Sequence, residues 1–252
     1  MKIWKNMREW QCHRSATGNQ SIGFVPTMGA LHRGHVSLVE RCRRENDLAL
    51  VSIFVNPTQF NDPRDLNRYP RTLDADLALL QQAGVDHVLL PAAEEMYPDS
   101  YRFSVTAPAL TGIMEGTHRP GFFEGVMTVV LKLLCIAGAH KAYFGEKDYQ
   151  QYRLVSELAK EFFIPVEIVA CETVRAASGL AESSRNALLS DGARARASCI
   201  YEALSNSRCV ASAKAEIEAQ GLEVEYVEEH WGRRFAAAKI EGVRLIDNTP
   251  LR

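Results

Sequence analysis

The run Gly23-Phe-Val-Pro-Thr-Met-Gly-Ala-Leu-His32-Arg-Gly-His35 sets two imidazoles three residues apart. They stand where a short apolar strand gives way, through a small-residue turn, to a helix. Such a turn points backbone N–H groups and the positive helix end at one spot, which suits an anion such as a phosphate. Histidines at i and i+3 lie on one face of the new helix, so both can face that anion. The pair also reads as a chance surface pair or as half of a metal site. A metal site normally needs a third ligand, and no His-Glu-x-x-His pattern follows.

Further groups of the same chemical type recur downstream. Ile53-Phe-Val-Asn-Pro-Thr-Gln59-Phe60 puts a glutamine, both donor and acceptor, beside an aromatic ring, an arrangement that can orient a small polar substrate. Phe144-Gly145-Glu-Lys147-Asp148-Tyr-Gln-Gln151 offers a glycine that permits close backbone approach and a lysine suited to phosphate. Its Asp148 also reads simply as a helix N-cap. Gly179-Leu-Ala-Glu182-Ser183-Ser184-Arg185-Asn186 lines up two hydroxyls and a guanidinium, a donor set for a polyphosphate or an ordinary surface turn. Arg119, before a long apolar helix, serves either an anion or an ion pair. Together these residues can bind and neutralise a nucleoside triphosphate while its α-phosphate is attacked, catalysis that is mostly positioning and charge stabilisation. No nucleophile–base–acid triad and no thiol in an electropositive motif stands beside them.

Short apolar strands alternate with helical patterns over the first two-thirds of the chain. The strands are expected at Ile22–Val25, Leu48–Phe54, His87–Leu90, Lys141–Phe144 and Val166–Val169. The helices are expected at Val36–Arg44, Leu73–Ala83, Val126–Ala137 and Tyr149–Glu161. This alternation predicts an α/β fold, a Rossmann-type doubly wound parallel sheet whose ligands bind beyond the carboxyl ends of the strands. Asn56–Arg71, with three prolines and little periodicity, reads as a long loop of the kind that forms lids, or as a plain connector. After Val174 the alternation stops. Helices near Ala193–Leu204 and Ala211–Ala219, then strands at Leu222–Val227, Phe235–Ile240 and Val243–Ile246, predict a smaller C-terminal α+β domain. The expected domains are 1–174 and 175–252, the second closing over the site.

The chain has 252 residues, 46% hydrophobic and 24% charged, with a net charge of −2. That balance lacks the basic excess of a dedicated nucleic-acid binder. The Arg41, Arg43, Arg44 cluster reads as a solvated helix face. Six scattered cysteines without a C-x-x-C pair fit reduced thiols. No uncharged apolar run reaches the roughly 18 residues a membrane span needs, and the N-terminus has no signal core. A cytoplasmic protein with no nucleic-acid or membrane partner is expected.

The runs Pro26 to His35, Phe54 to Phe60, Tyr69-Pro-Arg-Thr72, Gly125-Val-Met-Thr-Val-Val, Phe144 to Gln151 and Gly179 to Asn186 resemble the pantoate–β-alanine ligase family. They stand in that family's order over residues 23–186. The similar Val243-Arg-Leu-Ile-Asp-Asn248 follows them. The resemblance implies ATP-dependent condensation of pantoate with β-alanine through pantoyl adenylate, releasing AMP and pyrophosphate, in a homodimer with Mg²⁺ accompanying ATP. It implies that Met28, Gly29, Ala30, Leu31, His32, Arg33, Gly34 and His35 lie along ATP, joined by Gly145, Glu146, Lys147 and Asp148. Val174 would contact adenine through its backbone, and Glu182, Ser183, Ser184 and Arg185 would lie at the phosphates. Gln59 and Gln151, with Pro26, Thr27 and Arg119, would hold pantoate and β-alanine. His32, His35, Lys147 and Arg185 would carry the catalysis, and the 56–71 segment would gate the site.

Two positions depart from that family's pattern. Ser178 stands where the family usually has Asp, and Glu182 where it usually has an apolar residue. A carboxylate at 182 repels phosphate unless it points away or meets a cation. The C-terminal part also looks shorter than the family norm. The residues alone leave two other readings open: another small-molecule nucleotidyltransferase of the same fold, and a non-catalytic nucleotide-binding relative.

Overall fold

A computed structural model describes residues 1–251. Six strands, β1 (Lys2–Trp4), β2 (Ile22–Thr27), β3 (Leu48–Ile53), β4 (His87–Leu89), β5 (Lys141–Gly145) and β6 (Glu167–Cys171), form one sheet. Its order is β1-β4-β3-β2-β5-β6, and every pairing is parallel. The central strands β2 and β3 carry no charged residue because both faces are covered. Ile22, Phe24, Leu50, Leu89, Ala142 and Phe144 pack into one cluster with Met7, Trp10 and the Phe122–Ala137 helix. Their alternating neighbours Val25, Ala49, Val51, Val88 and Tyr143 pack into another, with Leu38, Val39 and Cys42 of the Arg33–Glu45 helix and Leu80 of the Leu73–Gln82 helix. The period-2 alternation of a strand thus feeds two cores from one sheet, as a doubly wound fold requires. β2 lies between β3 and β5: from β2 the chain builds outward through β3 and β4 on one side, then crosses to build β5 and β6 on the other. That reversal is the switch point at which such sheets bind ligands.

The chain divides into two compact units. The first comprises Met1–Leu31, His35–Gly145 and Gln150–Cys171. The second comprises His32–Gly34, Glu146–Tyr149 and the chain from Glu172 onward. Within the second, β7 (Glu223–His230), β8 (Arg233–Ile240) and β9 (Val243–Pro250) form an antiparallel sheet. Ala236, Ala238 and Leu245 of that sheet pack against Ala193, Ala197, Ile200, Leu204, Ala213 and Ile217 from three short helices. The predicted helix over Ala193–Leu204 is two, Asp191–Ala197 and Cys199–Asn206, parted at Ser198.

The structure corrects the sequence expectations at several other places. β1 and the Met7–Ser15 helix were not expected. The 56–71 segment is not a featureless loop: it holds a 3₁₀ turn at Pro57–Gln59 and a helix at Pro63–Arg68. Asn56 and Asp62 cap these turns, and each following proline takes the first helical position, where its missing N–H costs nothing. Nor is the arginine cluster wholly solvated, because Arg41 Nη1 donates to Ala170 O at 2.6 Å.

Two local contacts fix the segments that leave β2 and β3. After β2 the backbone turns through two left-handed residues, Gly29 (φ 79°) and Ala30 (φ 51°). Alanine takes that conformation at a cost. The Asp76 carboxylate, 3% exposed, holds the turn by accepting from Ala30 N (2.9 Å), Leu31 N (2.8 Å) and Thr72 Oγ1 (3.2 Å). After β3, a Cβ added to Gly125 would lie 2.4 Å from Thr58 O. Only glycine there lets the Phe122–Ala137 helix approach the turn that carries Gln59. Hydrogen bonds to a charged group each contribute about 1.5–3 kcal/mol, and orphaned buried amides add a further cost. Asp76→Ala should therefore destabilise the protein by about 2–4 kcal/mol in urea denaturation, and Asp76→Asn by less, since its carbonyl oxygen still accepts one amide. A loss below about 0.5 kcal/mol for Asp76→Ala would show that something else holds the turn.

Candidate active site

In the first unit, Pro26 and Thr27 end β2, Gln59 lies in the turn after β3, and Arg119 is bonded to Gln59. Thr27 Oγ1 donates to Ser52 O (2.7 Å) and accepts from Gly29 N (3.2 Å), tying the two strand ends together. Gln59, 9% exposed, is held by its neighbours. Its Oε1 accepts from Asn56 Nδ2 (3.0 Å), and its Nε2 donates to Met28 Sδ (3.1 Å). Asn56, 1% exposed, is oriented in turn: its Nδ2 also donates to Gly125 O (3.2 Å), and its Oδ1 accepts from Tyr97 OH (2.7 Å). Burial pushes the Tyr97 phenol up to about 12, so it remains a donor. Gln59 thus keeps one amide group bonded to protein while the other rests on a thioether, a weak acceptor that a stronger one can replace.

Arg119 donates to Gln59 O (3.3 Å), lies 3.7 Å from Glu115 and stacks 3.5 Å over the Phe122 ring. Pro26 and Met28 flank Thr27, half-buried. Gly145 closes β5, and a Cβ added to it meets nothing within 4 Å, so the protein itself does not require glycine there. Of the two adjacent glutamines, Gln150 is the buried one. It accepts from Glu115 N (3.2 Å) and donates to Ile113 O (3.0 Å), whereas Gln151 is half-buried on the next face of its helix.

The amides expected to greet a phosphate are already engaged. Ala30 N and Leu31 N are bonded to Asp76, Gly29 N to Thr27, and Gly34 N to His32 Nδ1 at 3.1 Å. The anion that this turn binds through Ala30 and Leu31 is the protein's own carboxylate. The two histidines also differ from expectation. His32 precedes the helix, which starts at Arg33, and only His35 lies in its first turn. Accordingly His32 groups with the second unit and His35 with the first.

In the second unit, burial and the Lys147 charge hold the His32 imidazole down at about 4. It is therefore neutral at pH 7. With Nδ1 accepting from Gly34, its proton sits on Nε2, which makes His32 a neutral donor. Lys147 Nζ lies 3.6 Å from Asp148, which ends the 3₁₀ turn Glu146–Asp148. Val174 O accepts from Glu182 N (2.9 Å), and Arg175 bridges Ala181, so the chain doubles back before the serines. Ser183 Oγ caps the next turn by accepting from Arg185 N (3.3 Å), and Ser184 and Arg185 lie in that turn, half-buried. Glu182 meets a cation: Arg33 Nη1 is 3.9 Å away, though Arg33 is 75% exposed and the pair is correspondingly weak. Ser178 sits exposed beside Gly179 at the tip of the doubled-back segment.

Sequence reasoning missed Asn56 and Asp76. Asn56 had a legible signal, since Asn-Pro is a cap followed by a first helical residue. Asp76 had none, because the two backbone amides it holds lie more than forty positions upstream.

Residues 1–250 match the family model described as Pantoate-beta-alanine ligase. A pantothenate synthetase of Bdellovibrio bacteriovorus is 48% identical over 242 residues, covering 96% of this chain and 95% of that protein. One from Legionella pneumophila is 48% identical over 249 residues, covering 98% and 99%. The expected shortness of the C-terminal part is not borne out against these relatives. The crystal structure of a pantoate-beta-alanine ligase from Francisella tularensis, complexed with beta-gamma ATP and beta-alanine, superposes with a TM-score of 0.94. Its identity is 42%, over 99% of this chain and 97% of that one. A pantothenate synthetase structure from Thermus thermophilus gives 0.91 at 40% identity, over 99% of both chains. By sequence over its length and by fold, the chain belongs to the pantoate-beta-alanine ligase family.

Proposed function

We infer that this enzyme condenses pantoate with β-alanine at the expense of ATP. The observation that carries the inference is the family match over residues 1–250, with donors rather than nucleophiles at its motif positions. A pantoate carboxylate oxygen attacks the α-phosphorus, the bond to the β-phosphate oxygen breaks, and pyrophosphate leaves. The β-alanine nitrogen then attacks the acyl carbon of the pantoyl adenylate. The acyl C–O bond breaks, AMP leaves, and the amine gives up a proton.

The protein's share is binding, orientation and charge stabilisation. Lys147, Arg185, Ser183 and Ser184 would take the phosphates, His32 would donate a neutral Nε2–H, and His35 would meet the developing charge at the α-phosphate. Gln59 would exchange its bond to Met28 Sδ for one to pantoate, supported by Gln151 and by Arg119, whose stacking and ion pair fix its reach. Met28, Gly29, Ala30, Leu31, Arg33, Gly34, Gly145, Glu146, Asp148, Val174 and Glu182 would line the nucleotide. Residues 56–71 would close over the site and keep water from the adenylate. Mg²⁺ enters with ATP, held by phosphate oxygens and water. No group of three or more His, Cys, Asp or Glu able to hold a metal ion lies together among the described residues. A cytoplasmic homodimer completes the proposal on family resemblance alone. Among the described residues no helix is long and apolar enough to cross a membrane.

Assaying AMP formation tests the proposal: AMP should appear only when ATP, pantoate and β-alanine are all present, with pyrophosphate as the co-product. His35→Ala should lower kcat about a hundredfold or more with unchanged thermal stability, the usual cost of removing a transition-state donor. Failure of AMP to form under any combination would refute the ligase assignment, and near-normal turnover of the variant would remove His35 from the chemistry.

The state of His32 is testable by pH. Unfolded, its imidazole takes up a proton below about 6.5. Folded, it does so only near 4. Between these values the unfolded chain binds more protons, so this site makes stability rise with pH across the window and adds nothing above it. The His32 ring resonances should titrate near 4 in the free protein, and His32→Gln should flatten the slope of stability between about pH 4 and about 6.5. An ordinary titration near about 6.5 would contradict a neutral donor.

A further inference from the structure

The Asp247-Asn248 pair near the end of β9 belongs to no step described above, yet its side chains are among the most completely bonded in the second unit. Asn248 is 1% exposed. Its Nδ2 donates both hydrogens, to Glu146 O and to Lys147 O, each at 2.9 Å. Its Oδ1 accepts from Arg233 Nε (2.6 Å), and its backbone N donates to Asp247 Oδ1 (2.8 Å). Arg233 reaches the same segment independently, lying 3.5 Å from Glu146 and stacking 4.5 Å over the Tyr149 ring. Asp247, 5% exposed, forms a two-pronged ion pair with Arg175 at 2.6 and 2.9 Å. Arg175 also donates to Asn248 O (3.3 Å) and stacks 3.8 Å over Tyr201. The strand does not need these side chains to stay in register, because β8 and β9 pair from Arg233–Pro250 to Ile240–Val243 through their backbones. The lysine segment does need them. Residues 146–148 form a single 3₁₀ turn, with few backbone bonds of their own.

We propose that Asn248 is a positioning residue for Lys147. Its carboxamide clamps two successive carbonyls so that the ammonium is presented to the triphosphate, while Asp247 and Arg175 hold the clamp's own backbone. The proposal rests on the reading of Lys147 as a phosphate ligand. Phosphoryl-transfer catalysis depends on placing positive charge within about an ångström of its target, so a lysine on a loosely bonded turn gains from such a clamp.

Steady-state kinetics of four single variants and one double variant test this. Asn248→Asp keeps the shape but turns an oxygen toward two carbonyls, and Asn248→Ala removes the clamp without adding a charge, which covers the case where the first fails to fold. Lys147→Ala reports the lysine itself. Glu225→Gln is the control, because Glu225 pairs with Lys239 and Arg244 (2.7 Å each) in the same sheet and has no bond to residues 146–149 in this structure. KM for ATP should rise about tenfold or more in both Asn248 variants, with KM for pantoate within about twofold. Glu225→Gln should change neither, at a similar loss of melting temperature. Combined with Lys147→Ala, Asn248→Ala should add nothing further. An unchanged KM for ATP in the Asn248 variants beside an impaired Lys147→Ala would overturn the positioning role and leave the phosphate role of Lys147 standing. An unimpaired Lys147→Ala would overturn both.

Discussion

The turn after β2 depends on one buried carboxylate and the two backbone amides that donate to it. Where β2 ends, the chain must reverse into a helix within a few residues, and it does so through Gly29 and an alanine in the left-handed region. That backbone is costly for Ala30 and persists only because Asp76 bonds Ala30 N and Leu31 N together. Thr72 supplies a third bond, so the negative charge sits buried without an unmet acceptor. The consequence is chemical as well as structural. A turn that looks built to cradle a phosphate with its backbone has spent those amides internally.

Polar residues within each unit share this design. Asn56 is fixed by Tyr97, Gly125 and its own turn, and through that it fixes Gln59. His32 is fixed by Gly34, which also decides which ring nitrogen carries the proton. Asn248, on β9, holds the carbonyls of Glu146 and Lys147. In each case a buried donor or acceptor holds a group expected to face substrate. Such preorganisation is what a reaction run on positioning and charge stabilisation requires, because nothing then has to reorient as charge develops.

The parts legible in the sequence were those set by local pattern. β2, β3 and β5 and their helices were readable to within a few residues because strands buried on both faces are continuous apolar runs. The residues of types suited to phosphate stood out as candidates because their motifs follow strands. β1 was missed since Lys2–Trp4 is short and part charged, and finds its place only against β4. The 56–71 segment was misread because its prolines were counted as breakers rather than as first helical residues. Asp76 was invisible: in sequence it is one more acid in the first turn of a helix, and only the folded chain brings residues 30 and 31 to it. Gln150 and Gln151 could not be told apart without the phase of their helix.

Amide hydrogen exchange at Ala30 and Leu31, followed with and without saturating ATP, tests the central claim most directly. If Asp76 holds both amides, they exchange slowly in the free protein, and ATP changes their rates by no more than about twofold. Amides that exchange freely without nucleotide and become protected only when ATP binds would contradict the account, since the turn would then be a backbone phosphate cradle after all.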